Sequence, residues 1–270
     1  MANLLTQGFP DRTVIYWTRA LARLAERASP EGAPRFGYLL EAGDAPVGVL
    51  LLIHTAVAGE NGPRIRCNIS SWYTQPDHRG FASLLIAAAL RDKSVTYVNI
   101  SPKLETWPVI EAQGFRRFCE GQMLTLPALG PIVRGARVGP FDPAREYGTG
   151  LSEDERTILA DHAALGCNCF VVEDGDARHP FVFLPRRIMT IVPTMQLAWC
   201  RSLDDYVRYS GALGRALLRG GAFTVMLDAE DAVPGLVGKF FRDRGPKYYK
   251  GPDRPRLGDL AYTEAVLFGA

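Results

Sequence analysis

The chain has 270 residues, of which 47% are hydrophobic and 22% are charged. This length accommodates one large domain or two ordinary ones, and the composition is typical of a globular protein rather than a disordered or fibrous one. The formal net charge of only +2 excludes a strong global field for nucleic acid or an acidic membrane. The longest apolar runs, such as 47–53, fall far short of the roughly 20 residues that a membrane span needs.

The five cysteines lack paired spacing, and the first residues lack the basic region and apolar core of a signal peptide. Both features predict a cytoplasmic protein in a reducing compartment. Cys167 and Cys169, with His162 nearby, have the residue types of a metal site, but zinc clusters use wider spacings and more ligands. We interpret the two cysteines as small buried strand residues and expect no metal.

The first half of the chain predicts helices and strands in a mixed order. Ile15, Trp17, Leu21 and Leu24 recur at helical spacing, and Ser29-Pro30 ends that helix. The elements predicted next are a hairpin over 36–56, a strand over 64–74, a helix over 81–91, a strand over 95–100, a helix over 105–113 and a strand over 115–126. This order indicates a mixed α/β sheet with helices on its faces.

The second half predicts a similar order of elements. They are a helix over 152–165, a hairpin over 168–185, a strand over 193–200, a helix over 204–219, a strand over 222–228, a helix over 233–243 and a final strand over 259–268. The segment 127–150 is rich in Pro and Gly and lacks a sustained period, which is typical of a connection.

Two landmarks suggest an internal repeat. YLLEAGDAPVGVLLL (38–52) aligns with FVVEDGDARHPFVFL (170–184), and each copy has the Gly-Asp turn of a hairpin. VIEAQGFRRFCEG (109–121) aligns with KFFRDRGPKYYKG (239–251) at nearly the same offset, with predicted helix ends at Gly114 and Gly245. A duplication is therefore expected, with domains at 1–130 and 151–270 joined by a linker at 131–150.

The first half resembles the GCN5-related N-acetyltransferases, or GNATs. The resemblance rests on the extended run 67–73, the turn QPDHRG at 75–80, the helix 81–91 and the strand-helix segment that ends at Gly114-Phe115. The resemblance covers roughly 36–126, and a weaker similarity extends across 168–268. It implies an α/β fold made of two GNAT-like acyl-CoA acyltransferase domains in tandem.

The resemblance also implies a site for acetyl-CoA or another acyl-CoA. In this family the ligand lies against a strand, an R-x-x-G-x-G/A loop and the following helix, whose N-terminus suits a pyrophosphate. The residues expected to bind it are Trp72, Tyr73, Thr74, Arg79, Gly80, Phe81, Ala82 and Ser83. Ala82 and Leu84 depart from the motif, because they stand where the family has Gly and then Gly or Ala. Leu84 is expected to point towards the helix and sheet, or towards the phosphates.

Catalytic groups are less well specified. The family's leaving-group acid is commonly a tyrosine four residues before the "GF" glycine, where this chain has Ile110. We therefore nominate His54, Tyr97 and Ser101. His54 ends a hairpin strand and titrates near neutral pH, while the other two lie on or just after the strand that would border the thioester.

These observations predict direct transfer of an acyl group, expected to be acetyl, from acyl-CoA to a small-molecule or peptide amine, without a nucleic-acid or membrane partner. Two other hypotheses remain open: a non-catalytic coenzyme A sensor or scaffold, and a transferase that takes its acyl group from aminoacyl-tRNA. In the second half Asp204 and Asp205, read as an N-cap and first-turn pair, would repel a pyrophosphate. That copy is expected to have lost coenzyme A binding.

Overall fold

The computed structural model describes residues 1–59, 62–188 and 192–269 of the chain. Their contacts define two compact units. Unit 1 comprises Met1–Arg117, Lys247–Pro255 and Tyr262–Gly269, and unit 2 comprises Phe118–Pro246 and Arg256–Ala261. Within these ranges no helix is long and apolar enough to cross a membrane.

The elements of the first half match the predicted ones closely, except for the N-terminal helix over 2–8, which the sequence analysis does not predict. They are α1 (Ala2–Gly8), α2 (Val14–Glu26), β1 (Gly37–Ala42), β2 (Ala45–Val57), β3 (Arg64–Thr74), α3 (Ala82–Ala89), β4 (Thr96–Asn99), α4 (Trp107–Ala112) and β5 (Arg116–Thr125). The Thr13 side chain caps α2 by accepting a hydrogen bond from the Tyr16 amide at 3.2 Å. The stretch between β3 and α3 forms a 3₁₀ helix, Pro76–Phe81, which was not predicted.

The second half follows the predicted order from its first long helix to the strand that ends at Ala229, but it also contains a strand over 137–140, within the segment expected to be a linker. Its elements are β6 (Arg137–Pro140), α5 (Glu153–Ala164), β7 (Asn168–Asp174), β8 (Ala177–Ile188), β9 (Val192–Cys200), α6 (Leu203–Arg219), β10 (Thr224–Ala229), β11 (Gly238–Lys250) and α7 (Glu264–Leu267). Ser152 and Glu155 form a capping box at the start of α5.

Two predicted elements near the C-terminus are wrong. The helix expected over 233–243 is a loop followed by β11, so Gly245 lies within a strand and ends no helix. The strand expected over 259–268 contains the short helix α7. Pro234, Gly235 and Gly238 disfavour a helix over 233–243. The segment 259–268 is a short, mainly apolar run, and periodicity alone does not distinguish a strand from a buried helix in such a run.

Both predicted hairpins are confirmed. Ala42 pairs with Ala45 across the β1–β2 turn, and Asp174 pairs with Ala177 across the β7–β8 turn. Gly43 and Gly175, the first residues of the two turns, have φ of +61° and +58°. A left-handed residue at this place fits the twist of a tight hairpin, which explains glycine in both copies.

In each unit the sheet is mixed. In unit 1, β2 pairs antiparallel with β1 and β3, β3 pairs in parallel with β4, and β4 pairs antiparallel with residues 248–250 of β11. In unit 2, β10 pairs antiparallel with β5 and in parallel with β9, and the antiparallel series β9, β8, β7, β6 follows.

Each unit has its own apolar core. In unit 1 a cluster on one face of the sheet joins strand residues such as Leu50, Leu52 and Cys67 to Leu85 and Ile86 of α3. In unit 2 a cluster joins Phe181 and Phe183 to Tyr206, Tyr209 and Leu213 of α6. Full burial of an aliphatic or aromatic side chain stabilises a fold by about 1.5 to 3 kcal/mol, so these clusters hold the helices on the sheets.

Candidate active site

The expected phosphate-binding turn is helical in unit 1. The 3₁₀ helix Pro76–Phe81 passes directly into α3, and the Ala82 amide donates to the Arg79 carbonyl. The side chains of Arg79, Phe81 and Ser83 are exposed, and Ala82 is half-buried. Some backbone amides of the turn therefore donate within the turn and are not available to a ligand. The exposed Arg79 guanidinium and Ser83 hydroxyl remain available to bind an anion.

Glycine at position 80 is not required by the backbone. Its φ lies outside the left-handed region, and an added Cβ would meet no atom within 4 Å. The absence of a side chain leaves open space beside Arg79, which is compatible with close approach of a ligand.

Leu84 does not pack between the helix and the sheet. Its side chain is 55% exposed, whereas Leu85 and Ile86 are buried in the core. The expectation that Leu84 points towards the helix and sheet is therefore wrong, because the next two residues of α3 occupy that face. Phe81, three residues earlier, is 56% exposed, so both apolar side chains are in contact with solvent beside Arg79.

The strand before this turn carries a β-bulge. The pairing of β3 with β2 shifts register between Ser70 and Tyr73, and Ser71 has φ of +48°. Trp72 packs against the core cluster of unit 1. The Tyr73 ring lies against Gly8 of α1, where an added Cβ would be 2.4 Å from the ring, and Thr74 is buried.

β3 and β4 are paired over only part of their lengths. Their parallel pairing covers Arg66 to Asn68 and Thr96 to Val98. Beyond Asn68, β3 continues to Thr74, while β4 ends at Asn99. In the described part of unit 1, the β4-facing edge of β3 over 69–74 therefore has no partner strand.

Two of the three nominated catalytic residues lie on the core face of the sheet. His54 pairs with Cys67, and Tyr97 pairs with the same Cys67 from the other side; Cys67 and Tyr97 are members of the core cluster. The Tyr97 hydroxyl donates to the Asp92 carbonyl at 3.1 Å, and burial raises its pKa. Tyr97 is thus placed as a packing residue.

His54 is similarly enclosed, with 7% of its surface exposed. Burial lowers its pKa, and the nearby Arg27 guanidinium lowers it further. The ring contacts the Pro34 carbonyl, and Nδ1 is buried with no hydrogen-bond partner among the described residues. The structure does not bring His54 together with Ser101.

Ser101, the third nominee, lies in a polar cluster that the sequence analysis missed. Its Oγ donates to Oε1 of Glu264 at 2.5 Å, and Ser70 Oγ donates to Oε2 of the same carboxylate. The Glu264 amide donates to Asn68 Oδ1 at 2.7 Å. Asn68 and Ser70 alternate with the core residues Cys67 and Ile69, so they face the opposite side of the sheet.

The Glu264 carboxylate has a perturbed pKa. Burial raises it, whereas the hydroxyl donors of Ser101 and Ser70 and the charge of Lys247 lower it, with burial dominant. Lys247 lies in β11 and is 2% exposed. A carboxyl group with a raised pKa, held by two hydroxyl donors beyond the last pair of β3 and β4, is suited to moving protons.

The C-terminal segment that carries Glu264 is firmly packed in unit 1. Val266, Leu267 and Phe268 are buried, and the Phe268 ring lies 6.1 Å from that of Trp17 in α2. Arg23 of α2 donates to the Leu267 carbonyl at 2.9 Å. The signal that could have revealed this arrangement is Thr263-Glu264, a Ser/Thr residue followed by an acidic first turn, which is typical of a helix start.

Ile110 is buried in the core cluster of unit 1, with 4% of its surface exposed. At position 110, where the family commonly has a tyrosine, this chain therefore has an aliphatic side chain that packs in the core. The nearby Tyr248 hydroxyl donates to Glu111 at 2.8 Å and accepts from Arg117 at 2.9 Å. Tyr248 is fully buried, so its hydroxyl serves this network.

The corresponding helix start in unit 2 is occupied by its own side chains. Ser202, rather than Asp204, is the N-cap of α6, because its hydroxyl accepts the Asp205 amide at 3.1 Å. The Asp205 carboxylate lies 3.2 Å from Nδ1 of His179. The two acidic residues of the first turn stabilise the helix dipole and place negative charge where an anion would bind.

All five cysteines are buried, and none forms a disulfide. Cys169 Sγ donates to the Leu159 carbonyl at 3.3 Å, and His162 Nδ1 lies 2.7 Å from the Ile158 carbonyl. These contacts give both residues local backbone partners. Across residues 1–59, 62–188 and 192–269, no group of three or more His, Cys, Asp or Glu is arranged to hold a metal ion.

Comparison with solved structures relates this arrangement to known folds. A probable N-acyltransferase of unknown function from Enterococcus faecalis V583 matches with a TM-score of 0.58 at 11% identity, covering 96% of this chain and 70% of that one. A GCN5-related N-acetyltransferase from Anabaena variabilis ATCC 29413 matches with a TM-score of 0.59 at 11% identity, covering 92% of this chain and 68% of that one.

The chain has the GNAT fold. No protein-family model matches its sequence, and comparison with curated proteins finds no match. At 11% identity the structural likeness establishes the fold alone. The α/β class predicted from the sequence and the resemblance of the first half to GNAT proteins are confirmed at this level.

Proposed function

We propose that the protein is an acyltransferase that transfers an acyl group, expected to be acetyl, from acyl-CoA directly to an amine. The observation that carries the proposal is the edge of β3 that lacks a partner strand beyond Asn68, followed along the chain by an exposed Arg79, on a GNAT fold. A strand edge without a partner strand leaves backbone donors and acceptors for an extended ligand, and a helix start with an exposed arginine suits its pyrophosphate.

In this proposal each part of acyl-CoA meets a different group of unit 1. The Arg79 guanidinium and Ser83 hydroxyl bind the pyrophosphate, with Gly80, Phe81 and Ala82 forming the surface beside it. The β3 edge at Trp72, Tyr73 and Thr74 lies along the pantetheine. The thioester then lies near Ser101. The helix start of α6 in unit 2 carries two acidic residues, so we assign one ligand site to the chain.

Direct transfer is favoured over an acyl-enzyme. A covalent intermediate on cysteine requires an accessible thiolate. Cys67 and Cys119 are fully buried, and burial raises the pKa of the Cys67 thiol. A covalent acyl group trapped on either cysteine and located by mass spectrometry would contradict direct transfer.

Calorimetric titration with acetyl-CoA tests the proposed site. Arg79→Ala removes a charged hydrogen-bond donor, so binding should weaken by about 1.5 to 3 kcal/mol, or roughly 10-fold to 150-fold. Arg91→Ala is the matched control, because Arg91 is also exposed but lies beyond the other end of α3. We expect Arg91→Ala to bind as the wild type does.

Two results would contradict this assignment. Equal affinities for the wild type and Arg79→Ala would place the ligand elsewhere on the molecule. No binding by the wild-type protein at near-millimolar acetyl-CoA would contradict the proposed function and favour the aminoacyl-tRNA-dependent reaction. Binding of acetyl-CoA without turnover of any amine would favour the sensor or scaffold.

A further inference from the structure

Residues from three distant parts of the sequence are hydrogen-bonded at the Glu264 carboxylate. Ser70 belongs to β3, Ser101 follows β4, and Glu264 begins α7 near the C-terminus. Each serine hydroxyl donates to a different oxygen of the carboxylate, which fixes its position. The carboxylate therefore lies beyond the last residue pair of β3 and β4, on the face opposite His54 and Tyr97.

We propose that Glu264 is the general base that accepts a proton from the acceptor amine. This inference rests on the proposed function, since it assumes acyl-CoA bound along the free edge of β3. It assigns a catalytic role to a residue of the C-terminal segment, outside the part of the sequence that carries the GNAT resemblance. It also predicts an acceptor that approaches as an ammonium ion, because an anionic carboxylate attracts such a group.

The surroundings of Glu264 match the needs of a base. Burial raises its pKa, which brings its proton affinity closer to the operating pH. The groups that favour its charged form are Ser70 on β3, Ser101 after β4 and Lys247 on β11. Arg23 on α2 donates to the Leu267 carbonyl. The carboxylate is thus oriented by hydroxyl donors and faces one close cation.

The chemical step balances as follows. The ammonium group gives one proton to the Glu264 carboxylate, and the freed nitrogen lone pair attacks the thioester carbonyl carbon. The C–N bond forms, the tetrahedral intermediate collapses, and the C–S bond breaks with the electron pair leaving on sulfur. The second nitrogen proton passes to the thiolate, which gives an amide and coenzyme A. Glu264 then releases its proton to solvent.

Glu264→Gln keeps the size of the side chain and removes its basicity. Acetyl-CoA affinity is measured by calorimetry, and thioester consumption is followed by free thiol release with propylamine as the acceptor probe. We expect acetyl-CoA affinity within about twofold of wild type and turnover slower by about 100-fold to 10,000-fold. Glu105→Gln is the control, since Glu105 is an exposed carboxylate close to Ser101 in the sequence.

Ser101→Ala supplies a second readout that retains the carboxylate. Loss of this donor removes a contact that lowers the pKa of Glu264. Because the base must be ionised, wild-type kcat/KM should rise with pH through the Glu264 titration. The rise should move to higher pH in Ser101→Ala and disappear in Glu264→Gln. A residue with only a structural role would leave the pH profile in place.

The outcomes separate this inference from the proposed function. If the wild type does not bind acetyl-CoA, the proposed function fails. If it binds acetyl-CoA but Glu264→Gln retains wild-type turnover and pH profile, only the role of Glu264 fails. Wild-type turnover with propylamine no faster than the uncatalysed reaction, or loss of acetyl-CoA binding in Glu264→Gln, would also overturn that role.

Discussion

At the scale of single residues, the candidate site depends on contacts between distant parts of the chain. Ser101 could be nominated from its place after a predicted strand. Its partner Glu264 could not, because 163 residues separate the two. Local patterns report helix and strand periodicity, whereas the environment of a carboxylate depends on tertiary packing. His54 and Tyr97 show the converse, since residue types suited to catalysis are buried on the core face.

Glu264 should make stability depend on pH. Its folded-state pKa is raised, so between the unfolded value of about 4.3 and the folded value the native protein holds more protons than the unfolded chain. The free energy of unfolding should therefore fall as pH rises through this window. Glu264→Gln should remove this contribution, which urea unfolding at pH 5 and pH 8 can measure against Glu105→Gln. If the free energy of unfolding depended on pH equally in the wild type and in Glu264→Gln, the raised pKa of Glu264 would be contradicted.

At the scale of elements, the strongest periodic patterns gave correct predictions and the weakest did not. α2 and α6 have long apolar stripes, and the two hairpins have Gly-Asp turns, so local chemistry specified them. β11 is rich in charged and aromatic residues and α7 is a short apolar segment, so neither has a sustained pattern that specifies its structure. The 3₁₀ helix Pro76–Phe81 had no signal besides its proline.

The packing of α6 is specific enough to test. An added Cβ at Gly214 would lie 2.1 Å from the Ala128 amide nitrogen, because the 3₁₀ helix Pro127–Leu129 crosses α6 closely. Gly214→Ala should therefore lower the free energy of unfolding by about 1 to 3 kcal/mol or more. Gly220→Ala, where the nearest atom is 3.4 Å away, is the matched control. Equal free energies of unfolding for the two variants, measured by urea denaturation, would contradict this close packing.

At the scale of the whole molecule, the α/β class followed from the order of elements, but the composition of each compact unit did not. Unit 1 includes Lys247–Pro255 and Tyr262–Gly269, and most of β5 belongs to unit 2. The strand next to β4 in unit 1 is β11, and the antiparallel strand next to β10 in unit 2 is β5. No local sequence pattern indicates which unit such a strand joins, because each strand pairs with residues that are distant in the sequence. The duplication with domains at 1–130 and 151–270 stays a prediction.

We propose that acyl-CoA binds along β3 and the Arg79 turn of unit 1. Hydrogen exchange followed by mass spectrometry, with and without saturating acetyl-CoA, tests this most directly because it reports the location of binding. We expect increased protection of the backbone amides in peptides covering 69–83, with peptides covering 200–207 at the start of α6 unchanged. Unchanged exchange over 69–83 together with protection over 200–207 would contradict this binding site and place the ligand in unit 2.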